Sequence, residues 1–271
     1  MRSSAVVLAV HSVRRMRGVL IAIAVVVGGF QFLLTQVAAF LLRRGGFGLI
    51  SSFIPDFMQN LAGPSALAFA SFEGVVAFGY FHPMMIATHI GLAISIATEP
   101  AAEVETRFAD LTLARAVARH EVVTRTVLVL VWTELVLLLV MMLSTWTGLA
   151  CCTPADTPRP GAATIRSLAI LLGAITFCWG GLALAVGARV RRRATATGGI
   201  AVAALAAFLL DYLARVWDPA KAIARFSPFR YFEPMSLLAG GQLQWRDVAV
   251  MLAIGLAGTI GGYMIFSRRD L

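Results

Sequence analysis

Residues 18–42 run for 25 positions without one charged side chain, and residues 74–98 do the same. The hydrocarbon core of a bilayer is about 30 Å thick, and an α-helix crosses it in about 20 apolar residues. Backbone N–H and C=O groups find no water there, so such a stretch closes its own hydrogen bonds as a helix. Four further stretches, 126–150, 167–188, 194–217 and 248–267, are comparably long and apolar. The expected fold class is an all-α integral membrane protein with six transmembrane helices, forming a single domain over 1–271. The chain is 59% hydrophobic and 14% charged, with a mean hydropathy of +0.83. Soluble domains hold about 25% charged residues.

The segments between the spans set the topology. In residues 1–17, Val6, Val10 and Val13 share one helical face, His11 and Arg15 share another, and Arg2, Arg14 and Arg17 add charge. That pattern predicts an interfacial amphipathic helix. A signal peptide has an apolar region of about 7–15 residues, shorter than 18–42. Residues 43–72 leave the bilayer, and Phe53, Ile54, Phe57, Met58 and Leu61 predict a short surface helix there. CCTPADTPRPGAATIR at 151–166 is a Pro-rich turn, and 218–247 is a loop with broken apolar stretches. With the N-terminus inside, the inner segments carry 14 of the 23 Lys and Arg. Basic residues collect on cytoplasmic flanks. The expectation is a multi-pass protein of the cytoplasmic (inner) membrane with both termini in the cytoplasm. An Ala- and Arg-rich chain with one lysine, Lys221, points to a high-GC bacterium.

One stretch departs from the apolar pattern. Residues 99–125 hold Glu99, Glu103, Glu105, Asp110 and Glu121 against Arg107, Arg115, Arg119 and Arg125. Glu103→Arg107 and Glu121→Arg125 are i,i+4 pairs in the favourable order. Val104, Phe108 and Leu111 fall on one face, so the stretch reads as one or two amphipathic helices exposed to the cytoplasm.

Reactive chemistry is sparse. No G-x-x-x-x-G-K-[ST] loop is present, so the chain is expected to be no enzyme by itself and to bind no cofactor. LAGGQ at 238–242 looks like the signature of ATP-binding cassettes, but Gly240 and Gly241 are more simply a helix terminus. Intramembrane polar groups are costly and functional by default. Glu134 stands nine residues into its span, about 13 Å deep. It is either a gating or substrate contact or a carboxyl bonded to a neighbouring helix. Asp211 lies nearer its span's end, beside Arg215. His82 and His89 share one face about 10 Å apart, too far to share a metal, and Pro83 between them predicts a kink. No His, Cys or carboxylate cluster has metal-ligand spacing. No nucleophile elbow or other catalytic constellation appears, and no basic patch interleaved with aromatics suggests nucleic acid.

Three places resemble a known family. GLAISIATEPAAEVETRFADLTLARAVARHEVVTRTVL at 91–128 is similar to an acidic–x–acidic segment followed by a helix ending in a small–basic run. SPFRYFEP at 227–234 is similar to a Ser-Pro-Phe…Pro stretch before a last span. FSRRDL at 266–271 is similar to a short basic ending. With the six-span layout, the chain resembles the permease subunits of type-2 ABC exporters, although that family usually has Gly where Arg107 or Phe108 stands and Pro where Ala116 stands. The resemblance implies a coupling helix between spans 2 and 3, with Glu103, Glu105, Arg107, Phe108 and Asp110 at the contact, and short re-entrant helices within 218–247. It also implies a separate ATP-binding cassette subunit carrying ATP and Mg, and a second permease subunit, identical or different. The alternative reading is a non-transporting multi-span scaffold that anchors a cytoplasmic partner.

Overall fold

The computed structural model describes residues 4–47, 71–107, 118–153, 157 and 159–268. Every regular element among them is helical. The helices are α1 (Ser4–Arg43), α2 (Phe72–Ala77), α3 (Pro83–Ala97), α4 (Glu99–Glu105), α5 (Arg119–Cys152), α6 (Ala162–Arg189), α7 (Arg193–Ala214), α8 (Asp218–Ala224), α9 (Pro234–Leu238) and α10 (Trp245–Ser267). Six units are long and apolar enough to cross a membrane: α1, the α2–α3 pair, α5, α6, α7 and α10. This is the layout of a multi-pass membrane protein. The expected surface helix around Phe53–Leu61 lies outside the described residues.

Three features of the spans differ from expectation. The N-terminal segment is not set off as a helix of its own, because α1 runs unbroken through Arg17 and Gly18 for 40 residues, about 60 Å. Only Gly18 disfavours helix there, and one glycine costs about 1 kcal/mol. In that segment Ala5 and Ala9 are buried while Val6 and Val10 are exposed. The second span is broken rather than kinked. A 3-10 turn, Phe78–Tyr80, follows α2, and α3 then begins at Pro83. Proline holds its predecessor in extended backbone, and His82 has φ −62 and ψ 130. The His82 ring Nδ1 accepts from the Met84 N–H at 3.2 Å, so it caps the new helix.

The third span also begins early. α5 starts at Arg119, so the charged residues just ahead of 126 form its first turns. Glu121 Oε2 accepts from the Ala118 N–H at 2.9 Å, satisfying a donor that the helix start leaves open. At 218–247 the chain forms α8, a 3-10 turn at Pro228–Tyr231, and α9. α9 ends at LAGGQ as a helix terminus. Gly240 has φ +86, and the Gly241 N–H reaches Ser236 O at 2.9 Å, a Schellman arrangement.

α6 is the axis of the bundle. Two thirds (67%) of its apolar window is buried, against 17% for α7. Its tightest partner is α10. A Cβ on Gly258 would stand 2.6 Å from the Gly181 carbonyl carbon, and one on Gly255 would stand 2.8 Å from Phe177 O. Between lipid-embedded helices there is little hydrophobic drive, and small residues that let backbones touch supply the contact instead. α1 and α5 pack in a second pair. Gln31 of α1 is fully buried and donates to Val76 O at 2.8 Å and to Thr145 Oγ1 at 3.0 Å. Tyr80 meets the same Thr145 hydroxyl at 3.0 Å.

Gly258→Leu is expected to lower the unfolding midpoint in detergent sharply, since overpacking typically costs about 1–3 kcal/mol and the obstacle here is backbone. Gly199→Leu, whose Cβ would meet nothing within 4 Å, is expected to leave the midpoint unchanged. Equal midpoints for both variants would mean that the α6–α10 contact is not formed.

Candidate functional site

The polar stretch after the second span is built into the bundle. α3 ends at Ala97, and Pro100 in the first turn of α4 restarts the helix after one residue, Thr98. α6 seats this corner, because a Cβ on Gly187 would lie 3.2 Å from Ala97 O and from Thr98 Cα. Thr98 Oγ1 also meets Thr197 Oγ1 of α7 at 3.0 Å.

Glu103 faces inward. Its Oε1 accepts from Arg125 Nη1 of α5 at 2.6 Å, and both side chains are less than a tenth exposed. Glu103 Oε2 and Arg125 Nη2 have no hydrogen-bond partner among the described residues. The expected Glu103–Arg107 pair therefore does not form. α4 stops at Glu105, and Arg107 turns into left-handed backbone with φ 57, off the helical register that the pairing needed. Arg125 bonds Glu103 across 22 residues instead of Glu121, whose carboxylate caps α5. Glu103 is thus turned inward and held by Arg125. Glu105 and Arg107 are exposed. Phe108 and Asp110 lie outside the described residues.

Arg193, the first residue of α7, joins α3, α4 and α7. Its Nη2 lies 3.3 Å from Glu99 Oε2 and donates to Ser95 O and Oγ at 3.1 and 3.2 Å. Its backbone N–H donates to Glu105 Oε2 at 2.9 Å, placing a carboxylate at the positive end of the helix dipole. The signal in the sequence that could mark Arg193 is its position at the head of a span.

Deeper in the bundle, His89 of α3 and Glu134 of α5 are bonded. Nδ1 lies 2.9 Å from Oε1 and 3.1 Å from Oε2. His89 is fully buried and the Glu134 side chain is 11% exposed. Of the two roles open for Glu134, the structure supplies the bond to a neighbouring helix. His82 and His89 do not act together, since His82 packs edge-on against Phe30 and Phe78. The His89–Glu134 pairing was missed because each residue was weighed alone. The available signal was that each sits on its helix's buried stripe, His89 with Ile86 and Ala93, Glu134 with Leu130 and Met141.

At the far end of α7, about 27 Å from Arg193, a cavity of about 680 Å³ opens between Phe78, Phe81, Phe208, Asp211, Phe229 and Glu233. Asp211 accepts from Arg215 Nη2 at 3.1 Å, as the i,i+4 spacing suggested. Lys221 on the same wall holds Asp218 at 2.6 Å and keeps that carboxyl below its ordinary range. The mix of aromatic faces and both charge signs suits an amphipathic molecule. Among the described residues no three His, Cys, Asp or Glu side chains come together as a metal site. Comparison with protein-family models, curated proteins and solved structures gives no match.

Removing one partner of a buried ion pair costs about 3–5 kcal/mol, while replacing both with apolar residues is often neutral. Arg125→Leu is expected to destabilise the protein strongly in detergent melts, and Glu103→Leu combined with Arg125→Leu to recover most of the loss. A double variant as unstable as the single one would show that the pair matters through something other than its uncompensated charge.

Proposed function

We propose that the protein is a permease subunit of a type-2 ABC exporter. In this reading it moves an amphipathic substrate, outward, across the inner membrane of a bacterium, and a separate cytoplasmic ATP-binding cassette subunit holds and hydrolyses ATP with Mg. The observation that carries the reading is the anchoring of α4. A short polar helix outside the apolar spans is tied to α5 through Glu103–Arg125 and to α7 through Arg193, while its corner rests on Gly187 of α6. A push on α4 therefore reaches the third, fourth and fifth spans together. A chain that uses another protein's ATP hydrolysis needs such an element, and α4 fits a coupling helix. Its outward residues Glu105 and Arg107, with Phe108 and Asp110 beyond them, form the proposed contact.

The large cavity at the opposite end, beside Asp211, fits the substrate's exit. The short helices α8 and α9 that border it fit re-entrant elements of the outer face. α7 leaves Val202, Leu205 and Leu209 exposed, a face suited to lipid or to a second permease subunit. The 14 Lys and Arg of the expected inner segments fit a cytoplasmic location for those segments and for both termini.

The test is co-expression with an ATP-binding cassette subunit encoded in a neighbouring reading frame, where one is found. Glu105→Arg and Phe108→Asp are expected to insert at normal levels and to lose at least about tenfold of permease-stimulated ATPase activity, the effect of about 1.4 kcal/mol at the contact. Full stimulation in both variants would remove α4 from the coupling role. Binding of the cassette subunit with no substrate-dependent ATPase activity would favour the scaffold reading.

A further inference from the structure

A second hollow, of about 480 Å³, lies on the lipid-facing side between α5, α6 and α10. Its walls are almost wholly apolar, with Leu139 and Met142 on α5, Gly173 and Phe177 on α6, and Leu252 on α10. Only two charged residues touch it. Arg166 stands at one end, exposed and without an ion pair among the described residues. Glu134 stands towards the other end and is already bonded to His89.

The dimensions of the groove are informative. α6 has 28 residues, about 42 Å, so a core of about 30 Å leaves about 6 Å of helix beyond each boundary. Arg166 is four residues past Ala162, about 6 Å along the axis, which sets it at the edge of the hydrocarbon, where a long side chain reaches the phosphates just outside. From Arg166 to Phe177 the groove runs eleven residues, about 16 Å. That is one leaflet, half of the hydrocarbon thickness. At Phe177 the groove closes, because that side chain and its carbonyl pack against Gly255 of α10.

We propose that this groove is a binding site for one acyl chain of an anionic phospholipid, with Arg166 on the phosphate. A neighbouring helix, including one from a second copy, would cross the whole membrane, whereas the groove ends at its middle. The charge at the mouth selects the headgroup. Arginine binds phosphate through paired N–H donors, and among the described residues that line the groove no carboxylate stands at the mouth to hold the ammonium of a zwitterionic lipid. The one carboxylate in the groove, Glu134, is eight residues below Met142, about 12 Å down. Gly173 gives the groove its depth. A Cβ there would already stand 3.0 Å from Leu138 Cδ1, so a larger side chain both fills the space and pushes Leu138 into it. The bound chain would also cover the exposed edge of the His89–Glu134 pair. The inference needs only that these helices span a bilayer and is independent of the transport reading.

The experiment uses the full chain in nanodiscs doped with photoactivatable phosphatidylglycerol or phosphatidylcholine, and locates adducts by peptide mass spectrometry. Phosphatidylglycerol is expected to label residues 138–142 and 169–174 about tenfold more than phosphatidylcholine, equivalent to about 1.4 kcal/mol. Arg166→Gln should equalise the two lipids without changing the melting midpoint. Gly173→Leu should abolish labelling by both, and Leu139→Trp, which fills the groove from its exposed side, should do so even if Gly173→Leu does not fold. Equal labelling of the wild type by both lipids, or adducts only elsewhere, would overturn the proposal. So would preferential capture of a photoactivatable free fatty acid, or a disulfide between two copies of Leu139→Cys, which would assign the groove to a different occupant.

Discussion

A polar side chain carried into hydrocarbon can bond only to protein, and the interior of this bundle follows from that constraint. Gln31 ties α1 to α2 and α5 because its amide has no water to use. His89 and Glu134 hold one another for the same reason, joining the second span to the third. Glu103 and Arg125 repeat the arrangement where the bundle meets the polar stretch. These bonds act as register marks. Apolar surfaces in lipid slide past one another at little cost, and a few directional contacts fix which turn of one helix faces which turn of another. Glycine supplies the close approach, most clearly where α6 and α10 meet backbone to backbone.

The position of α4 follows from the same logic. A helix of seven residues is too short to be stable alone, and it is held by side chains that reach into two spans, α5 and α7. Arg193 caps and clamps at once, using its side chain on Glu99 and Ser95 and its backbone on Glu105. The proposed coupling role depends on this stiffness, since a flexible tether would absorb a displacement instead of passing it on.

The six spans were legible because bilayer thickness sets a length and the lack of charge marks it. The ends of the helices were less legible. α1 and α5 continue well past the lipid because the backbone has no reason to stop where the hydrocarbon does, and charge patterning reports only the latter. Pro83 was visible as a disturbance, but its form, a full restart capped by His82, depended on Phe78–Tyr80 tightening into a 3-10 turn first. The pairings were not legible at all. His89 and Glu134 are 45 positions apart and Glu103 and Arg125 are 22 apart, and no local spacing rule connects them. Local rules instead predicted Glu103 with Arg107 and Glu121 with Arg125, and both lost to longer-range partners once α4 ended early and Glu121 was used as a cap. The LAGGQ terminus was legible because a glycine pair after an apolar helix has one common conformation.

The α6–α10 interface also bears on biogenesis. A chain made from its N-terminus inserts the fourth span well before the sixth, with α7 and about thirty further residues between them. For that interval the glycine face of α6, which meets α10 backbone to backbone in the finished protein, has nothing to press against but lipid or the insertion machinery. The early helices can settle in the membrane as a loose set. The α6–α10 contact can close only when α10 arrives, so this part of the core waits on the sixth span.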